Sequence, residues 1–194
     1  MDSLSYSLGV LITNNLKQQG FDNLVSEDLT AAIDDVLSGR TPKIDLQTAN
    51  ANVQEYAQKQ QAEQHRPNLE AGQNFLAENG QREEVTTTAS GLQYEVLTKA
   101  EGPKPSATDN VTVHYHGTLI DGTVFDSSVV RNSPATFPLN QVIRGWTEGV
   151  QLMSVGSKYR FFIPYQLAYG DREAGAAIKP YSTLIFEVEL LSIG

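Results

Sequence analysis

Cysteine is absent from all 194 residues, which excludes disulfides, thiolate catalysis and cysteine-based zinc sites together. A chain without cysteine is compatible with the cytoplasm or the periplasm. The first 15 residues contain Asp2 and several polar residues but no basic segment followed by an apolar core, so no signal peptide is read there and the cytoplasm is expected, or the periplasm if a leader has been removed. No apolar run approaches the roughly 20 residues that a membrane helix requires, and no membrane partner is expected. Histidine is scarce too. His114 and His116 share a strand face opposite to Tyr115 while His65 lies in a distant polar stretch, so neither a metal set nor a Ser-His-Asp arrangement can be argued, and no cofactor is expected. Bases are few: 14 Lys and Arg stand against 23 Asp and Glu, a net charge of -9, with 11 acids and 5 bases in residues 1–80 and 12 acids and 9 bases in residues 81–194. A nucleic-acid partner is therefore not expected, and the acidity reads as ordinary surface solubility.

What is present divides into two regions, enough chain for two small cores. The first is helical. Leu4, Leu8, Leu11, Ile12 and Leu16 recur at helical spacing before Gly20, and Ser26 with Glu27 and Asp28 looks like an N-cap and acidic first turn ahead of Leu29, Ile33, Val36 and Leu37, with Ser38-Gly39 as the stop. A third helical stretch runs from about Asp45 toward Asn79-Gly80. Leu46, Ala49, Val53 and Tyr56 give it an apolar stripe, but residues 57–68 hold only Ala57 and Ala62 among Gln, Glu, Lys, His and Arg. A helix polar all round usually bridges domains through solvent, and about 35 helical residues would span about 50 Å; a glutamine-rich linker without fixed structure is the alternative. Pro67 removes a backbone donor and crowds the preceding turn, so a kink or break is expected near it, followed by a last helical piece around residues 69–78. The division is thus 1–44, 45–80 and 81–194. Two short helices and the start of a third make too small a core to stand alone, and self-association is expected.

After Gly80 the composition becomes strand-like. Leu92, Tyr94 and Val96 alternate, as do Val111, Val113 and Tyr115, and Asp121-Gly122 reads as a two-residue hairpin turn that leads into Val124-Phe125-Asp126-Ser127-Ser128. The hairpin aims an aromatic hydroxyl at a buried face. Val142-Ile143-Arg144-Gly145-Trp146 carries the single tryptophan, Leu167-Ala168-Tyr169-Gly170 a further tyrosine, and the terminal run places Phe186, Val188 and Leu190 on one face. Residues 147–153 read as a short helix crossing the sheet. The class is α+β.

These segments, in this order from about Gly91 to Gly194, closely resemble the FKBP-type peptidyl-prolyl cis/trans isomerases. The helical start, with Ser5-Tyr6-Ser7-Leu8-Gly9, resembles the N-terminal domain of the Mip-like branch. The resemblance implies a helical dimerisation domain at 1–44, a long spacer helix, and a curved antiparallel sheet wrapped on a short helix, the whole assembling as a homodimer. It also implies the pocket. Tyr115, Phe125 and Phe186 would wall a proline ring that rests on Trp146, lined further by Phe137, Val142 and Ile178, while the Ile143 N–H and the Tyr169 hydroxyl would hold substrate carbonyls. Asp126, near Tyr115 and Arg131, would either face the twisted carbonyl carbon or fix the tyrosine. Partners implied are proline-containing unfolded or partly folded polypeptides and macrolide inhibitors of the tacrolimus and rapamycin type. Two departures stand at the rim: Ala135 where many relatives have phenylalanine, and Ala177-Ile178-Lys179-Pro180 in place of Gly-Ile-Pro-Pro. They bear on substrate preference and inhibitor affinity.

The chemistry needs no nucleophile. Rotating a peptide bond crosses a barrier of about 18–20 kcal/mol and for X-Pro takes tens to hundreds of seconds unaided. The planar amide is more dipolar than the twisted one, so an apolar aromatic pocket penalises the ground state more, while a few fixed donors hold the carbonyls. Two function classes follow: an isomerase acting during protein folding, with chaperone activity as a dimer, or a holdase-type binding protein that depends little on turnover.

Overall fold

The computed structural model describes residues 1–194, which form two compact units, Met1–Gln64 and His65–Gly194. In the first unit, helix α1 (Ser3–Gln18) starts where the Asp2 carboxylate accepts the Ser5 N–H at 2.8 Å and stops before Gly20 at φ +87°. Helix α2 (Ser26–Leu37) is preceded by Val25, with no side-chain cap. Ser26 thus lies inside the first turn rather than capping it. Helix α3 (Leu46–Asn79) opens on Asp45, whose carboxylate accepts the Thr48 N–H at 2.8 Å. The Phe21 and Tyr56 rings stack at 5.3 Å and tie the loop after α1 to α3.

Of the kink or break expected at Pro67, the break does not occur: helix α3 continues through it. The physical reason lies in its last third, where His65, Asn68, Leu69, Gly72, Phe75, Leu76 and Asn79 form a partly or fully buried stripe at helical spacing. Phe75 meets Phe162 at 5.9 Å between centroids, and the Asn79 amide donates to Gln93 Oε1 at 2.9 Å. That packing outweighs the loss of one backbone donor. It also means that the second unit begins at His65, sixteen residues ahead of the division at 81 read from composition.

The second unit is built on an antiparallel sheet of seven strands: β1 (Val85–Thr87), β2 (Gln93–Thr98), β3 (Asn110–Leu119), β4 (Val124–Ser127), β5 (Ala135–Pro138), β6 (Lys158–Ile163) and β7 (Leu184–Ile193), in the order β1-β2-β6-β7-β3-β4, with β4 and β5 sharing one side of β3. On β3 the alternation holds, since Val111, Val113 and Tyr115 are buried and Thr112, His114 and His116 less so. The hairpin differs from the expected two-residue turn. Leu119 and Thr123 bracket three residues, with Gly122 N–H donating to Leu119 O at 3.0 Å and Leu119 N–H to Thr123 O at 2.9 Å. Of the three only Gly122 has a positive φ, +85°, the pattern of a type I turn closed by a glycine bulge.

Across the inner face lies α4 (Arg144–Val150), which starts three residues earlier than the expected 147 and so carries Trp146. Gly145 and Gly149 face the sheet: a Cβ at either would come within 2.4 Å of Ile163 or 2.7 Å of Phe161. Only glycine lets the helix axis approach this closely. The outer face is not solvated where α3 ends. Gln93 and Glu95 are buried there, Glu95 paired with Arg160 and with Arg82 at 2.5 Å, and Arg160 reaches on to Glu187 at 2.6 Å.

Candidate active site

Strand β3 delivers Tyr115 to the inner face, β4 delivers Phe125 and Asp126, β5 Phe137, β7 Phe186, the turn into α4 Val142 and Ile143, and α4 itself Trp146. These, with Tyr169 and Ile178 from two loops, line one cavity of about 500 Å³. Ten of the eleven residues named from sequence are therefore together. Arg131 stands outside the lining but is bonded to two members of it. Gln141 and the residues Ala174 to Ala177 also line the cavity; of these only Ala177 stood out in sequence, at the rim departure, and the small loop residues before it carry no pattern.

Trp146 is 4 % exposed and is met edge-on by three rings, Tyr115 at 5.4 Å, Phe137 at 5.9 Å and Phe186 at 5.2 Å, with interplanar angles of 84°, 89° and 80°. Phe125 meets Phe186 at 5.3 Å and 81°. Edge-to-face pairs add about 0.5–1.5 kcal/mol beyond burial, so the rings hold one another in a fixed box. Gly117 on β3 makes room for it, because a Cβ there would lie 2.7 Å from Phe125 and 2.9 Å from Phe186. The Trp146 indole N–H is buried without an acceptor, an arrangement that costs about 1–3 kcal/mol.

The polar side is a three-member cluster. The Tyr115 hydroxyl donates to Asp126 Oδ2, Arg131 Nη1 to Asp126 Oδ1, and Arg131 Nη2 to the Tyr115 oxygen at 2.9 Å. Burial pushes the Asp126 carboxyl upward, but the hydrogen bonds from Tyr115 and Arg131 and the guanidinium charge together outweigh it and hold the pKa below the usual 3.8. Burial and the bond to Asp126 raise Tyr115 above 10, and burial with the Asp126 charge raises Tyr169 likewise. Besides the buried Trp146 indole N–H, two of the donors named from sequence are left over. The Ile143 N–H, at the N-cap of α4, and the Tyr169 hydroxyl donate to nothing in the chain. The site thus offers an apolar aromatic floor, one fixed carboxylate and two unused donors, with no nucleophile activated by a base.

The N-terminal half matches the family model described as the domain amino terminal to FKBP-type peptidyl-prolyl isomerase, over residues 1–96, and the C-terminal half matches that of FKBP-type peptidyl-prolyl cis-trans isomerase, over residues 102–191. The chain is 46 % identical to the FKBP-type 22 kDa peptidyl-prolyl cis-trans isomerase of Escherichia coli strain K12, covering 97 % of this chain and 93 % of that one. The chain belongs to the FKBP-type peptidyl-prolyl cis-trans isomerases. It is also 40 % identical to the outer membrane protein MIP of Legionella longbeachae over 99 % of this chain and 85 % of that one, and it resembles the crystal structure of FkpA from Escherichia coli with a TM-score of 0.68 at 34 % identity, covering 98 % and 93 % of the two chains. The protein is thus an isomerase of X-Pro bonds with the helical region and open antiparallel sheet of this family. No helix is long and apolar enough to cross a membrane. The cytoplasmic expectation draws no support from these FKBP relatives, one of which is named an outer membrane protein.

A pH profile checks the cluster. Asp126 has a depressed pKa in the fold, so its contribution is complete above the unfolded value of about 3.9 and is lost as pH falls through the lower folded value. Tyr115 and Tyr169 are raised, so their hydroxyls stay protonated past pH 10. The isomerisation rate should therefore be flat from about pH 5 to 9. A step inside that range would overturn this reading of the cluster.

Proposed function

We propose that the aromatic cavity is where the X-Pro bond turns, with Trp146 beneath the proline ring, Tyr115, Phe125 and Phe186 as walls, Phe137, Val142 and Ile178 completing the lining, and Ile143 N–H and Tyr169 hydroxyl holding substrate carbonyls. The observation that carries this reading is the box of edge-on rings around one indole, closed on its polar side by Tyr115, Asp126 and Arg131. Of the two roles open to Asp126, fixing the tyrosine is favoured, since both carboxylate oxygens are engaged by Tyr115 and Arg131. No covalent step is involved. An apolar site disfavours the more dipolar planar amide, and the two unused donors keep the flanking carbonyls in place while the bond rotates.

The substrates proposed are proline-containing unfolded or partly folded polypeptides. Association of two copies through the first unit is supported by its surface: α1 and α2 bury no residue, and Leu4, Leu11, Val36 and Leu37 are 64–82 % exposed. So many exposed large apolar side chains on two helices are more than a monomer ordinarily leaves in water. A homodimer with two pockets suits chaperone work in addition to isomerisation, whereas a holdase with little use for turnover would not need the unused donors. A tetrapeptide isomerisation assay beside refolding of a protein without slow proline steps separates the two activities. For the compartment, the name borne by the Legionella longbeachae relative makes the cell envelope the first place to look, by fractionation of cells producing the full-length protein.

Macrolides of the tacrolimus and rapamycin type should compete with prolyl peptides for this cavity and quench or shift the Trp146 fluorescence. Ala135 and Lys179 leave the rim less apolar, so binding is expected to be weaker than in relatives with phenylalanine and proline there. Fluorescence titration with peptide competition checks it. Saturable macrolide binding that peptide does not displace would refute a shared site.

A further inference from the structure

Tyr169 and Ile178 stand on loops outside the sheet, and a pocket wall on a loop needs something else to hold it. Several contacts converge beside one backbone position. The Pro180 carbonyl accepts a hydrogen bond from the Asn68 amide of α3 at 3.3 Å. The next residue, Tyr181, donates its N–H to Gly170 O at 2.9 Å, directly after Tyr169, and its ring packs edge-on against Tyr165 at 5.3 Å and 78°. Tyr181 has φ +62°, a conformation that side-chain-bearing residues adopt seldom and keep only where surrounding contacts over-determine it. Two residues on, Thr183 is buried against Gly72 of α3, where a Cβ would lie 2.5 Å from Thr183 Oγ1. The last third of α3 and the loop behind Ile178 are thus interlocked, although neither Asn68 nor Tyr181 lines the cavity.

We propose that Asn68 and Tyr181 are positioning residues for the isomerase reaction. By tying Pro180 to α3 and Gly170 to Tyr181, they fix Ile178 and Tyr169 on one side of the pocket, so the helix that leads into the catalytic body sets how tightly a prolyl chain is gripped. The inference rests on the pocket assignment above. It predicts an effect on binding, because the floor and the Tyr115–Asp126–Arg131 cluster lie on other elements and stay as they are.

Steady-state kinetics on a prolyl tetrapeptide test it with the full chain. Asn68→Asp, which puts an acceptor oxygen against the Pro180 carbonyl, should raise KM several-fold with kcat near wild type, and Asn68→Ala should raise it less. Tyr181→Ala should act like Asn68→Asp, while Tyr181→Phe, which keeps the ring against Tyr165, should match wild type. Unchanged KM in both Asn68→Asp and Tyr181→Ala overturns the proposal. So does a loss of rate that falls on kcat alone or is matched by the fraction of unfolded protein in a thermal melt. Phe125→Ala in the same series separates the two levels: full rate in that variant removes the pocket assignment itself, whereas a large loss there beside an unchanged KM in Asn68→Asp removes only the positioning role.

Discussion

Phe125→Ala should lower kcat/KM on a prolyl tetrapeptide by about thirty- to a hundred-and-fifty-fold, corresponding to about 2–3 kcal/mol of lost transition-state stabilisation at 1.36 kcal/mol per tenfold, with far-UV circular dichroism near wild type. The ring is only partly buried, packs edge-on against Phe186 and lies over Gly117. Removing it opens one wall to water without emptying the core. Water restores solvation to the planar amide, and the difference between planar and twisted forms on which the rate depends shrinks. Trp146→Ala should lose at least as much rate, but that variant also removes the floor met by three rings and should cost about 3–5 kcal/mol of stability. Phe125 is therefore the cleaner probe. A wild-type rate in both variants, measured with a protease-coupled or fluorescence assay, would falsify the pocket assignment.

Much of this site was legible because its residues are chemically conspicuous. A single tryptophan, a Phe-Asp pair after a glycine turn and a tyrosine on an alternating strand each stand out, and strand alternation told which of them face inward. The less legible parts are those where burial falls on polar or small side chains. His65, Asn68, Gly72 and Asn79 interrupt any hydrophobic period, so the segment of α3 that seats on the sheet read as solvated spacer. Gln93 and Glu95 occupy what looks like the wet face of β2, yet α3, Arg82 and Arg160 cover them. The start of α4 at Arg144 was hidden for a related reason: Gly145 has poor helix propensity, and the helix forms there because Gly145 and Gly149 permit contact with Ile163 and Phe161. Pro67 shows the converse. A strong local breaker was overruled by tertiary packing that only the assembled sheet provides.

The burial of α3 also decides where an isolated catalytic fragment must begin. Composition places the division at 81, and a fragment cut just inside it at Thr86 still holds every cavity residue, but such a fragment 86–194 discards the Phe75–Phe162 contact, the bond from Gln93 Nε2 to Leu76 O at 2.8 Å, the Asn79–Gln93 bond and the Arg82–Glu95 ion pair. Losing one partner of a buried charge costs about 3–5 kcal/mol when nothing replaces it; Arg160 still holds Glu95, so the cost here is smaller, but exposing Phe162 adds to it. Against a total stability of about 5–15 kcal/mol, these losses together should lower the thermal midpoint of 86–194 by at least about 10 °C relative to 65–194 and leave much of it unfolded at 37 °C. The fragment 65–194 should fold cooperatively, sediment as a monomer and keep the wild-type rate on short peptides. Its rate on a protein substrate should fall below that of the full chain, because two pockets on the proposed dimer would present the second site to a captured polypeptide at high effective concentration, a gain that disappears when the sites are separated. Equal thermal midpoints for the two fragments would show that the end of α3 is dispensable to the fold, and a dimeric 65–194 would move the association surface out of the helical unit.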